Sequence, residues 1–361
     1  MRIKQIAYVD RVLRFAQGEY VMSHVVQTGL DIRLLRLETE DGSTGWGEVI
    51  RRSRHDAEAK PREAAILDGL AGKAVADIPG IIDDLRGAGA VMQGLAFGLD
   101  TTYLDWLARK ADMPLYAMLG GKRCDAVPGY YSFSGDDAPG AITQSLHGAA
   151  ADWAVIQIKL GVGDRDADIA MIEAALAGLS PAQVLLADFN GALDPRTALS
   201  IIREFDDARI VWEEPCASID ENSEVAARCD QPVMFDQCLS DLASIARVAG
   251  DGLAHSVAIK PAFLGGLQAA RAARDLCVAA GMPMRIDGPW CGYIASAATL
   301  HLACGAPPEL LIAGCDLRQP LLLDEDWGGI RHLQEHQIAP VETSGHGVTP
   351  PNDIIADKRE S

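Results

Sequence analysis

From about residue 126 the chain alternates between two patterns. Apolar runs of five to seven residues end in polar residues, and each is followed by a helical, Ala-rich stretch of 11–17 residues. The runs are AVPGYYSF, AVIQIKLG, QVLLADFN, RIVWEEP, PVMFDQ, HSVAIKP, PMRIDG and LLIAGCDL; the stretches between them include DADIAMIEAALAGLS and GGLQAARAARDLCVAAG. Eight such βα-like units in roughly 200 residues predict an α/β fold of the TIM (β/α)-barrel type. A doubly wound open sheet is the competitor. Its dinucleotide-binding version is weak, because no G-x-G-x-x-G opens a helix after a strand.

Residues 1–123 read differently. TGLDIRLLRLETEDGSTGWGEVI alternates as an antiparallel hairpin with DGS at its turn, and helical segments such as LAFGLDTTYLDWLARKADM follow. We expect an α+β domain over 1–123, a barrel over 124–334, and a Pro/Gly-rich segment over 335–361 that packs back on the first domain.

Composition narrows the class. At 48% hydrophobic and 23% charged residues, usage is that of an ordinary globular protein. No apolar run reaches the roughly 18–20 residues of a membrane span, and the charged, alternating N-terminus reads as a strand, not a signal peptide. The net charge of −19 without a basic cluster argues against a nucleic-acid partner. Eight scattered cysteines without a CxxC pair suggest free thiols in a reducing compartment, hence a cytoplasmic protein.

In a barrel, polar residues at the C-terminal strand ends form the active site. In strand order these are Gln157 and Lys159; Asp188 and Asn190; Glu213 and Glu214; Asp236 and Gln237; Lys260; then Arg285 and Asp287. Side chains two apart share a face, so Gln157 and Lys159 point the same way, whereas Glu213 and Glu214 cannot both point inward. Asp188, Glu213 and Asp236 lie at one level on three adjacent strands. Three converging carboxylates repel unless a cation neutralises them, and an all-oxygen set selects Mg²⁺, with Mn²⁺ as the alternative. Lys159 and Lys260 sit on strands four apart in a ring of eight, facing each other across the mouth. A metal and burial would both lower their pKa values, so that one lysine abstracts a proton while the other stays protonated.

These residues resemble the enolase superfamily, within it the muconate-lactonizing-enzyme-like subgroup of the mandelate racemase/muconate lactonizing enzyme family. The resemblance spans nearly the whole chain. GSTGWGE (Gly42 to Glu48) resembles the capping-domain hairpin, and LDTTYLDWLARKADMPLYAMLGG the helix and LGG entry to the barrel. ADFN, EEP, FDQ and IKPAFLGGL match the D-x-N, E-[EQ]-P, D-E and lysine–Gly-Gly motifs. The resemblance implies metal ligands at Asp188, Glu213 and Asp236 and acid/base lysines at Lys159 and Lys260. It also implies homo-oligomerisation. Two departures stand out: QIK replaces the usual K-x-K, leaving Gln157 for the auxiliary lysine, and DQ replaces DE.

The shared family step is abstraction of the proton α to a carboxylate through a Mg²⁺-stabilised enediolate. IDGPWCGY offers Asp287 followed by Trp290, a carboxylate beside an aromatic face, which suits a cationic amine. With QIK and HGVTP this resembles proline-betaine and hydroxyproline-betaine epimerases and cis-3-hydroxyproline dehydratases. The implied activity is racemisation or 2-epimerisation of a cationic or N-substituted amino acid, such as a proline betaine derivative. Dehydration of a 3-hydroxyproline or acid sugar is the alternative, and a non-catalytic metal-binding barrel the remote one. Gln157, Asn190, Asp287, Trp290 and Tyr20 are the substrate-binding candidates, with Tyr20 assigned to a capping loop. Arg285 and Arg51 to Arg54 offer the opposite possibility of holding an anionic tail.

Overall fold

The computed structural model describes residues 1–15, 18–51, 59–288, 291–314, 327–351 and 354–355. Strand β1 (Ile3–Arg14) is followed by a small hairpin, β2 (Tyr20–Met22) and β3 (Val25–Gln27), then by β4 (Gly29–Thr39) and β5 (Thr44–Ile50). β1, β4 and β5 form one antiparallel sheet. The expected DGS turn joins β4 to β5: Asp41 accepts from Thr39 Oγ1 (2.6 Å) and Ser43 N–H (3.2 Å). Helices α1 (Lys60–Asp68), α2 (Ile78–Gly87) and α3 (Ala90–Lys110) complete the capping domain.

The GSTGWGE segment is glycine-rich because β5 lies directly on α3. A Cβ on Gly47 would sit 2.0 Å from Thr102 Oγ1 and 2.3 Å from Gly98 O, and one on Gly94 would sit 2.0 Å from Ile50 O. Neighbouring Asp105 accepts from Trp46 N–H (2.9 Å) and His346 N–H (2.9 Å), tying α3 to both β5 and the C-terminal segment.

After α4 (Leu115–Met118) and β6 (Val127–Pro128) comes the barrel. Its strands are β7 (Tyr130–Phe133), β8 (Val155–Lys159), β9 (Val184–Asp188), β10 (Ile210–Glu213), β11 (Val233–Phe235), β12 (Ser256–Ile259), β13 (Met284–Ile286) and β14 (Leu311–Gly314). All pair in parallel and in order. The end of β14 returns against β6, where a Cβ on Gly314 would meet Val127 Cγ1 at 2.6 Å, so the barrel is nearly closed. The intervening helices are α5 (Pro139–Leu146), α6 (Arg165–Gly178), α7 (Pro195–Ile202), α8 (Ile219–Ala226), α9 (Leu242–Asp251), α10 (Leu267–Ala280) and α11 (Tyr293–Ala303).

The sequence sets these boundaries locally. Asp164, Asp194, Ser218 and Asp241 cap α6 to α9 by accepting first-turn N–H groups, and left-handed Gly252 and Gly281 end α9 and α10. Tyr130, Val155, Leu186, Met234, Ala258 and Ala313 fill the barrel interior from six strands. This apolar floor sits below the strand ends and leaves the mouth to polar side chains. β15 (Ile330–His332) and β16 (Gln337–Pro340) form a ribbon that pairs with β6. The chain then reaches the capping domain, where Leu115 N–H donates to Gly345 O (2.8 Å) and Arg109 Nη2 to Val348 O (3.0 Å). No described helix is long and apolar enough to cross a membrane.

Candidate active site

Register places the charged strand ends side by side. Lys159 pairs laterally with Asp188, and Asp188 with Glu213. Lys159 Nζ donates to Asp188 Oδ2 (2.5 Å), and Lys260 Nζ to Asp236 Oδ2 (2.6 Å). Arg285 lies in register with Ala258 and Ala313, one layer below Lys260 and Asp287. From there its guanidinium grips both oxygens of Glu213, with Nη1 to Oε2 at 2.7 Å and Nη2 to Oε1 at 2.6 Å. Its Nε lies 3.0 Å from Asp287 Oδ2, which also accepts from Tyr130 OH (3.1 Å).

The two motif departures acquire a structural meaning here. Gln157 Nε2 donates to Asp188 Oδ2 (3.2 Å) and Glu213 Oε2 (2.9 Å), while Ser132 Oγ donates to its Oε1 (2.9 Å). Gln157 therefore bridges two carboxylates without adding a charge, and Arg285 supplies the cation. Glu214 turns sideways on a left-handed backbone (φ 41°) and accepts from Asp236 N–H (2.6 Å) and Cys238 N–H (2.7 Å), fixing the end of β11. Asn190, also left-handed, directs its N–H (2.8 Å) and Nδ2 (3.0 Å) onto Asp188. The Asp-x-Asn spacing thus holds the carboxylate in place.

Burial and charge pull in opposite directions across this cluster. Burial, with Glu213 alongside, pushes Asp188 up to about 6. For Glu213, burial is overridden by Arg285, which holds it down at about 2. Burial next to Asp236 pushes Glu214 up to about 8. Burial lowers both lysines, but Asp188 and Glu213 on one side and Asp236 and Asp287 on the other outweigh it. Both ammonium groups are therefore favoured. The expectation of depressed lysines concerns the site with a metal charge beside them.

The cavity above this cluster has a volume of about 280 Å³, suited to a small substrate. Gln157, Lys159, Asn190, Lys260, Arg285 and Asp287 line it from the barrel, together with Tyr130 and Phe263. Met22, His24, Val25 and Gln27 of the β2–β3 hairpin cover it. Tyr20 does not belong to this lining. It is buried at 1% exposure, with its hydroxyl on Ser132 Oγ and on Phe133 O (3.2 Å), so it supports the Ser132–Gln157 chain instead of reading substrate. His24, in the turn between β2 and β3, lines the cavity instead. Burial, then the field of Lys159, lowers the His24 pKa and favours a neutral imidazole. Sequence reasoning missed His24, Tyr130 and Ser132. The latter two were accessible as inward positions of YYSF on the first barrel strand, whereas nothing in a single sequence aims the hairpin. Trp290 and Arg52 to Arg54 lie outside the described residues. Arg51 is spent on Glu63 (2.6 Å), away from the cavity.

Four buried carboxylates (Asp188, Glu213, Asp236, Asp287) face three cations, leaving negative charge in excess. Asp236 Oδ1 is buried without a hydrogen-bond partner. This all-oxygen set suits a hard divalent cation. As placed, the carboxylates aim at the cationic side chains, and among the described residues no three His, Cys, Asp or Glu side chains surround one point closely enough to hold an ion. Both oxygens of Glu213 already accept from Arg285, so an ion held by this set would share that carboxylate with the guanidinium.

A sequence profile of the enolase C-terminal domain-like family matches residues 142–354. The chain belongs to this family. It is 26% identical to cis-3-hydroxy-L-proline dehydratase of Roseibium aggregatum, over 97% of this chain and 96% of that one. It is 24% identical to L-Ala-D/L-Glu epimerase of Bacillus subtilis, over 83% and 84% of the two chains. Among solved structures, a member of the enolase superfamily from Roseovarius nubinhibens complexed with magnesium superposes with a TM-score of 0.86 at 28% identity, covering 97% of this chain and 96% of that one. Relatives of this enolase superfamily member thus include both a dehydratase and an epimerase, and the family as a whole spans racemases, epimerases, cycloisomerases and dehydratases.

Proposed function

We propose that this protein moves the proton α to the carboxylate of a small cationic or N-substituted amino acid, such as a proline betaine derivative, by 1,1-proton transfer. The observation that carries the reading is the pair Lys159 and Lys260, on opposite strands of one small cavity, each seated on a carboxylate. One lysine takes the α-proton from one face and the other returns a proton to the opposite face, inverting the centre. Asp188, Glu213 and Asp236 are the residues that would hold Mg²⁺ or Mn²⁺. When bound, that ion supplies positive charge that offsets the charge building on the substrate carboxylate and disfavours ammonium at the adjacent lysines. Asp287, with Tyr130 behind it, faces the cavity as the anionic partner for the substrate cation. The Phe263 ring and the hairpin's Met22 and Val25 exclude water.

A second reading is β-elimination from a 3-hydroxyproline. It is favoured by the hydroxyproline dehydratase relative and by His24, a neutral donor and acceptor above the cavity that can hold a ring hydroxyl. An acid-sugar substrate is disfavoured, because β13 leads to Asp287 and not to a histidine.

Incubation with Mg²⁺ in D₂O tests both. Deuterium at Cα of L- or D-proline betaine, with inversion, is the expected result. Conversion of cis-3-hydroxy-L-proline to an imine or keto product selects the second reading. Absence of α-exchange with every cationic amino acid overturns the first.

A further inference from the structure

We propose that Asp100 and Arg86, both on capping-domain helices, are positioning residues for Lys260, so that the two lysines are held by different parts of the molecule. This rests on the two-lysine reading above.

Lys260 follows β12, and six residues, PAFLGG, connect it to α10. That loop folds onto the lysine's own backbone. The N–H groups of Phe263 and Leu264 donate to Lys260 O at 2.9 and 3.2 Å, and Gly266 N–H donates to Pro261 O at 2.9 Å. The far side of the loop is held from the capping domain. Arg86 Nε, at the end of α2, donates to Gly265 O at 3.0 Å. Asp100, in the middle of α3 and fully buried, accepts from Gln268 N–H at 3.0 Å and Gln268 Nε2 at 2.7 Å. It thereby caps the N-terminus of α10, whose own N-cap residue, Gly266, has no side chain.

The Gly-Gly pair exists because these side chains press against it. Gly265 (φ 72°) would place a Cβ 2.9 Å from Arg86 Cγ, and Gly266 (φ 148°) would place one 2.5 Å from Asp100 Oδ2. Lys159 is anchored differently. Its ladder partner is Asp188, Leu160 N–H donates to Asp188 O (2.8 Å), and Gly161 N–H donates to Asp168 Oδ1 (2.8 Å), all within the barrel. A disturbance of Asp100 therefore reaches Lys260 and spares Lys159.

The test compares α-proton exchange from L- and from D-proline betaine in D₂O with saturating Mg²⁺. The Lys260→Ala variant first identifies which epimer loses its proton to Lys260. In Asp100→Asn, exchange of that epimer falls by about 10- to 100-fold relative to the other, the scale expected when an acid/base group is displaced by about 1 Å. Arg86→Lys shifts the ratio the same way, by less. Both rates come from one sample, so their ratio does not depend on how much of the variant folds. An equal fall for both epimers overturns the proposal, because a merely structural role slows both faces together. If the wild-type protein exchanges neither epimer, the proposed function fails, and backbone amide exchange decides the positioning claim instead. Loss of protection at Phe263, Leu264 and Gly266 in Asp100→Asn, with Leu160 unchanged, supports it. Unchanged protection, or equal loss in both loops, overturns it.

Discussion

Gln157 and Arg285 donate to the same oxygen of Glu213, at 2.9 and 2.7 Å, from strands five apart in the barrel order. One brings an amide and the other a full charge. In the resembling subgroup a lysine stands at the position of Gln157. A lysine there would place a second cation against Arg285 with only one carboxylate between them. The neutral amide at 157 and the guanidinium at 285 therefore form a matched pair, and the charge needed beside Glu213 enters from β13, not β8.

Replacing Arg285 by methionine tests this division. It leaves Glu213 buried without its bidentate partner, a change that costs about 3–5 kcal/mol. The loss should be full in EDTA and smaller in saturating Mg²⁺, since a divalent ion restores the missing charge. Thermal denaturation with and without metal reads the difference. An equal loss in both conditions would mean that Arg285 and the metal do not share Glu213.

Lys159→Ala and Lys260→Ala should each stop inversion, lowering it by about 10²- to 10⁴-fold, the usual contribution of a positioned acid/base group. Each variant should still wash out the α-proton of one epimer, and the two should complement each other in which one. Proton NMR of the Cα–H signal in D₂O follows both. A variant that keeps full inversion removes its lysine from the mechanism.

The barrel and the carboxylates Asp188, Glu213 and Asp236 at its strand ends were legible because each depends on one strand's polarity and on alternation within it; their common level was not, since Glu213 pairs with Met234 and Asp236 lies two residues beyond. The carboxylate at each strand end can be read without knowing its neighbours. What could not be read depends on contacts between distant segments. Arg285 was offered as a holder of anionic substrate tails, but its partner Glu213 lies 72 residues away and claims its guanidinium. Tyr20 was placed over the substrate because its hairpin was, yet its hydroxyl reaches past the cavity to Ser132, and His24, in the turn of that hairpin, lines the cavity. The Gly-Gly pair was recognised as a motif, but its cause, two capping-domain side chains, appears only once the domains pack.

His24 should discriminate between substrates. Its hydrogen bond to a ring hydroxyl is worth about 1–1.5 kcal/mol, so His24→Ala should lower kcat/KM for a hydroxylated proline derivative by roughly 5- to 15-fold. Its effect on the unhydroxylated analogue should stay within about twofold. Because burial and then Lys159 favour the neutral imidazole, the preference should hold across pH 7 to 8, where the neutral form dominates. Equal losses on both substrates would assign His24 to hairpin closure instead.

His301 on α11 makes the stability of the protein depend on pH. Its Nδ1 accepts from Tyr116 N–H (3.2 Å), its ring stacks on Tyr116, and burial pulls its pKa down to about 3. Unfolded, it titrates near the ordinary histidine value of about 6.5. Below that value the unfolded chain binds a proton that the native state refuses, so the contribution of His301 to stability falls as pH drops from about 6.5 towards 3 and is flat above. At pH 5 the gap of about 1.5 units corresponds to roughly 2 kcal/mol. His346, also depressed by burial, acts in the same direction. His301→Gln keeps an acceptor for Tyr116 N–H and has no proton to gain. Urea denaturation midpoints at pH 7 and pH 5 should therefore move less in the variant than in the wild type. An identical loss in both proteins would show that His301 does not carry the acid sensitivity.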